Sequence, residues 1–188
     1  MGAVEAAVGA RTHARERRQD HVLVADRKSV AEKTRLYLDT SVVSAYFDER
    51  TPNRLQYTRA FWTVVNTDEY ELYTSEVTLL ELVRTPSPER FLEMWQLISG
   101  YPSLLLTDRS RKLASAFLAE NLVPPKKYED AQHLALAVEN GLHSLVSWNF
   151  KHMVNMRLQR RLPVVAAKNG FFRQLLLVTP QNFVQLPP

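Results

Sequence analysis

Residues 35–41 read Arg-Leu-Tyr-Leu-Asp-Thr-Ser. The apolar run Leu36-Tyr37-Leu38 ends at one carboxylate and two hydroxyls, Asp39, Thr40 and Ser41. A short apolar run bounded in this way predicts a buried strand, and its carboxyl end presents the polar groups. Outward from it the pattern alternates. Val42 to Phe47 and Arg54 to Val65 have helical spacing, with Pro52 between them. Glu71 to Thr74 predicts a second strand. Ser75 is placed to cap a helix running to about Arg84, which Pro86 and Pro88 end. Phe91, Met94, Trp95 and Ile98 form a helical stripe that Gly100 and Pro102 stop.

Farther along, Ser103 to Thr107 predicts a third strand, and Thr107 or Asp108 can cap a helix reaching Leu118. After Pro124-Pro125 a helix from about Tyr128 to Asn140 turns Ala131, Leu134, Ala135 and Val138 inward, and Gly141 suits its end. Leu142 to Ser147 predicts a fourth strand, Phe150 to Leu162 an amphipathic helix, and Leu175 to Val178 a fifth strand. Strands alternating with helices, with hardly any hairpin signals, imply an α/β fold with a mainly parallel sheet. The expectation is a three-layer α/β/α sandwich of five strands, spanning residues 35–188. Residues 1–34, with the polar run Arg11–Asp20 and no apolar stripe, read as an extension, disordered or helical.

Composition narrows the function. The chain has 188 residues and no cysteine, which removes disulfides, thiolate zinc sites and cysteine nucleophiles. No apolar run approaches the ~20 residues of a membrane span, and no apolar signal segment opens the chain, so a cytoplasmic protein is expected. The net charge of +4 hides an asymmetry. Residues 1–34 carry net +2, residues 35–139 net −4, and residues 140–188 net +6 without a single Asp or Glu. A solvated basic face is the plain explanation of that end; a phosphate-bearing partner is the other.

Three acids fall where a parallel sheet would gather them. Asp39 follows the first strand, Glu81 lies in the helix after the second, and Asp130 opens the helix after the proline pair. Asn149 follows the fourth strand. Each has an ordinary explanation. Asp39 can cap a helix, Asp130 can complement a helix dipole, and Glu81 can be a partly exposed acid with Glu76 as its competitor. Together they form a cluster of like charge that a cation would relieve. Oxygen ligands in such a cluster suit Mg²⁺ or Mn²⁺.

Four segments carry a resemblance: LYLDTSVVSAYF (36–47), TSEVTLLELVR (74–84), YEDAQHLALAVENG (128–141) and LVSWNFKHMVN (145–155). In this order they resemble PIN-domain proteins, and among these the VapC-like ribonuclease toxins of toxin–antitoxin modules. The resemblance implies a metal-dependent endoribonuclease in which Asp39, Glu81 and Asp130 hold the metal and Asn149 completes the catalytic set. Asn149 stands where many such nucleases have Asp, which bears on a second metal. Thr40 and Ser41 match supporting hydroxyls. Products carrying a 5′-phosphate and 3′-hydroxyl, a cognate antitoxin partner and a homodimer are further implications. Lys151, His152, Arg157, Arg160 and Arg161 lie beside Asn149 in sequence and are candidates to hold RNA phosphates.

Trp148 is a candidate base-stacking residue or a core aromatic. His133, in an apolar helix, is expected to be packed rather than to act as a base. Two other classes compete: a non-catalytic PIN-like module that binds RNA or protein, and an aspartate-based phosphatase. The phosphatase is disfavoured because Ser41 occupies the place of its second acid. The arginines of residues 1–34 could also occlude the site.

Overall fold

The computed structural model describes residues 32–185. Apart from its last three residues, the expected extension at 1–34 lies outside the described residues. β1 (Thr34–Leu38) leads into α1 (Thr40–Ala45) and α2 (Pro52–Val65). β2 (Tyr70–Ser75) is followed by α3 (Glu76–Val83) and α4 (Pro88–Ile98). Next come β3 (Ser103–Leu104), α5 (Asp108–Ala119) and α6 (Tyr128–Glu139). β4 (Ser144–Val146), α7 (Met156–Lys168) and β5 (Leu176–Val178) follow, with a short 3-10 turn at Pro180–Phe183.

The five strands form one parallel sheet in the order β3-β2-β1-β4-β5. From β1 the chain builds outward through β2 and β3, then returns to place β4 and β5 on the opposite side. The order therefore reverses at β1 and β4, and the crevice beyond their carboxyl ends is where open α/β sheets bind ligands. Asp39 and Ser147 through Asn149 follow directly at those two ends.

Strand alternation divides the interior into two cores. Leu36, Leu38, Leu72 and Val146 pack with Val42, Phe61, Met94 and Ile98 on one face. Tyr37 and Leu145 pack with Leu113, Phe117, Leu134 and Leu158 on the other. Both faces are thus covered by helices, the arrangement that a parallel sheet requires. Because side chains two apart share a face, Tyr37 points toward α6, and Asp39, whose backbone is still extended at φ −71 and ψ 150, follows it.

Three sequence expectations shift, each for a local reason. The third strand stops at Leu104, because the Leu106 amide donates to the Glu76 carboxylate instead of to the sheet. This contact also fixes Glu76 as a structural acid. The fourth strand begins at Ser144, because the amides of Gly141 (φ +59) and Leu142 close the end of α6 on Val138 and Ala137. The last helix starts at Met156 and not near Phe150. The Asn149 carbonyl draws in the amides of Met153 and Val154, and Asn155 then caps the helix by accepting the Leu158 amide at 2.9 Å. It runs through Pro163 to Lys168, since Leu158, Leu162, Val165 and Ala166 bury one face.

The expected caps form. Ser75 accepts the Thr78 amide and Thr107 that of Ser110. α6 carries the densest core contact, with every residue from Ala131 to Val138 buried. Leu134→Ala should therefore cost about 2–5 kcal/mol in denaturant unfolding. The same truncation at Leu80, which is 57% exposed, should cost less than about 0.5 kcal/mol.

Candidate metal centre

Asp39 occupies the N-cap position of α1, yet its side chain caps nothing. It is buried, and its Oδ2 accepts two hydroxyls, Ser41 at 2.6 Å and Ser147 at 2.5 Å. Those hydroxyls tie the ends of β1 and β4 together: Ser41 Oγ also accepts the Trp148 amide and Ser147 Oγ that of Asn149, both at 2.9 Å. The other oxygen, Oδ1, is left facing Nε2 of His133 at 3.7 Å.

Glu81 reaches the same place from α3, with Oε2 3.3 Å from His133 Nε2. Burial raises its pKa, but the hydrogen bond and charge of His133, with the nearby Thr40 hydroxyl and Arg84, outweigh burial and hold it below 4.5. The Thr40 oxygen is buried beside Glu81 and makes no hydrogen bond of good geometry. Asp39, Glu81 and His133 each offer a ligand atom, and the three atoms lie within 4.8 Å of one another. Two carboxylates, an imidazole and a nearby buried hydroxyl make a donor set that suits a divalent cation.

Asp130 stands to one side of this trio. It lies in the first turn of α6, with Asn149 Nδ2 3.5 Å from each of its oxygens. Burial and then the charge of Asp39 push its pKa up, against the opposing pull of His133, Lys127 and His152. The charge of Asp39 therefore reaches Asp130, although Asp130 is not within the 4.8 Å trio. Asn149 Oδ1 accepts the His152 amide at 3.1 Å, which aims its NH₂ group at Asp130.

His133 is wholly buried, as expected, but it is not an ordinary packed residue. Nδ1 lies 2.6 Å from the Tyr37 hydroxyl, which is itself 2.6 Å from Ser75 Oγ. Burial alone would lower its pKa; its contacts with Tyr37, Glu81 and Asp39 outweigh burial and raise it well above 6.5. Ser147, Tyr37 and Ser75 were not legible as site residues, because nothing in the sequence tells which hydroxyls meet across the sheet.

The basic residues separate. Lys151, His152 and Arg157 line a cleft of about 320 Å³ together with Asn121, Pro124 and Asn155. Arg160 is exposed. Arg161 instead donates to the Glu120 and Asn121 carbonyls at the end of α5, a helix-capping role. Trp148 is buried, with Nε1 donating to Thr58 Oγ1 at 2.9 Å, so it is a core aromatic and not an open stacking platform. Phe150 beside it is 52% exposed.

The sequence matches the PIN domain family over residues 36–149, and the chain belongs to that family. No curated protein matches it. Among solved structures it is similar to VapC20 of Mycobacterium tuberculosis, described as a sarcin-ricin loop cleaving toxin. That match has 14% identity and a TM-score of 0.48, over 72% of this chain and 95% of that one. A member of the VapBC family of toxin–antitoxin systems from the same organism, VapBC-5, matches at 18% identity and a TM-score of 0.40, over 61% and 84%.

The raised pKa of Asp130 gives a sign for its effect on stability. Its ionised form is disfavoured in the folded chain, so the penalty is full above the folded pKa. It is relieved as pH falls through that value toward the ordinary 3.8. Metal-free Asp130→Asn should therefore melt at a higher temperature than the parent at pH 7. The difference should vanish below about pH 4, as followed by calorimetry across that range.

Proposed function

We propose that this chain is a divalent-cation-dependent endoribonuclease. The observation that supports it most is the convergence of Asp39, Glu81 and His133 beyond the carboxyl end of β1, with Asp130 and Asn149 alongside, in a PIN-family chain. Asp39, Glu81 and Asp130 are the carboxylates that would hold Mg²⁺ or Mn²⁺, with Thr40 supplying a hydroxyl. When bound, such a cation lowers the pKa of water and stabilises charge on a phosphodiester in the transition state.

The remaining work falls to the chain's own groups. Ser41 and Ser147 fix the Asp39 carboxylate by its Oδ2, leaving Oδ1 open. Asn149, oriented by the His152 amide, positions a phosphate oxygen or the attacking water beside Asp130. Lys151, His152 and Arg157 receive the flanking phosphates in their cleft, and Arg160 extends that surface. The contacts of Arg161 favour a structural part for that residue.

Physiologically, we take the chain to be the toxin of a toxin–antitoxin pair, acting in the cytoplasm as a homodimer and held in check by a cognate antitoxin. The motif resemblance supports this. Among the described residues no helix is long and apolar enough to cross a membrane.

Purified protein should cleave a mixed RNA pool with Mg²⁺ or Mn²⁺ and stop on addition of EDTA. Asp39→Asn and Asp130→Asn should each lower the cleavage rate by about 100-fold or more. Cleavage that survives both substitutions would place the chemistry elsewhere. RNA binding without cleavage under any cation would favour a non-catalytic module.

A further inference from the structure

Every polar atom of the buried His133 ring has a partner, and the partners differ in kind. Nε2 faces the two carboxylates, at 3.3 Å from Glu81 and 3.7 Å from Asp39. Nδ1 faces a chain of hydroxyls that leads away from the site: Tyr37, then Ser75 at 2.6 Å, then Thr78 Oγ1 a further 3.4 Å on. Resting on the proposal that a cation binds between Asp39 and Glu81, we infer that His133 Nε2 is a nitrogen ligand of that cation. We further infer that Tyr37 is the positioning residue that frees this nitrogen to bind.

Distances support the first part. Ligand atoms about 2.1 Å from one octahedral ion lie about 3.0 Å apart when adjacent and about 4.2 Å apart when opposite. The separations of Nε2 from Glu81 and from Asp39 fall between these limits. An imidazole already suspended between two carboxylates thus needs only a small adjustment to share an ion with them.

Hydrogen-bond polarity supports the second. Ser75 Oγ accepts the Thr78 amide, so its own proton can go to Tyr37 or to Thr78 Oγ1. In one sense Ser75 donates to Tyr37 and Tyr37 donates to Nδ1. Nε2 then carries the ring proton and donates it to Glu81. In the opposite sense Nδ1–H donates to Tyr37, Tyr37 to Ser75, and Ser75 to Thr78. Nε2 is then a bare lone pair; the two senses carry the same number of protons, so the one given up at Nε2 is matched by one taken up at Nδ1.

In both senses Tyr37 and Ser75 each donate one hydrogen bond and accept another, and the second is the form that ligates. A ligating histidine held by a partner on its other nitrogen is the usual arrangement around protein-bound metals. The same Ser75 caps α3, the helix that carries Glu81, so one hydroxyl serves two of the proposed ligands, Glu81 and His133.

The test is pulsed electron paramagnetic resonance on the full chain loaded with Mn²⁺. The wild type should show ¹⁴N coupling from a directly bound imidazole. Coupling should persist in His152→Gln and disappear in His133→Gln. Tyr37→Phe should weaken Mn²⁺ binding by about 10–100-fold and shift the quadrupole signal of the remote ring nitrogen, which has lost its acceptor. The wild-type spectrum needs no substitution, so a poorly folding variant does not blunt the test. Bound Mn²⁺ that supports RNA cleavage without nitrogen coupling overturns this inference alone. Coupling that survives in His133→Gln also overturns it. Absence of any Mn²⁺ binding overturns both this inference and the ribonuclease proposal.

Discussion

A buried carboxylate at the end of the central strand organises the rest of this molecule. Asp39 is removed from water where the sheet reverses its strand order, and an ion in that position must be compensated. Ser41 and Ser147 answer with two hydroxyls, and so join β1 to β4 at their carboxyl ends. His133 answers from α6 and brings Glu81 of α3 with it. The four elements that meet there are joined by this polar cluster as well as by the two apolar cores behind it. The cluster remains electrostatically loaded on the Asp130 side, where burial and Asp39 together raise a carboxyl pKa. Such unrelieved charge in a crevice marks a functional site more than a structural one.

Much of this arrangement is legible in the sequence. The run Leu36-Tyr37-Leu38 predicts β1 and places Asp39 at its end, because strand burial and the strand-end rule both act locally. Ser75 and Thr107 cap the helices they should, since a cap needs only a hydroxyl and an amide three residues on. α6 was readable as a helix from its apolar spacing and its closing glycine. Asp39 and Glu81 do come together, and Asp130 meets Asn149.

What was not legible depended on groups far apart in sequence. Glu76 cuts β3 short by reaching Leu106, thirty residues away. Phe150 was expected to start a helix, but the Asn149 carbonyl and the Asn155 cap delay it to Met156. The significance of His133 was hidden for the same reason. Its ring lies among apolar neighbours in sequence, and only the sheet brings Tyr37, Asp39 and Glu81 to it. Charge counting was the coarsest guide. Of the six basic residues after position 139, Arg161 caps α5, Lys168 pairs with Glu120 at 2.9 Å, and Arg173 meets His143. Lys151 and Arg157 flank the cleft beside Asn149.

The central claim is that the crevice beyond β1 and β4 is a cation site. A crystal of the full chain soaked in Mn²⁺ and measured at an anomalous wavelength tests it most directly. The account predicts one strong anomalous peak with Asp39 Oδ1 and a Glu81 carboxylate oxygen at about 2.0–2.3 Å. A well-ordered crevice with no peak, while manganese occupies some other part of the molecule, would contradict it.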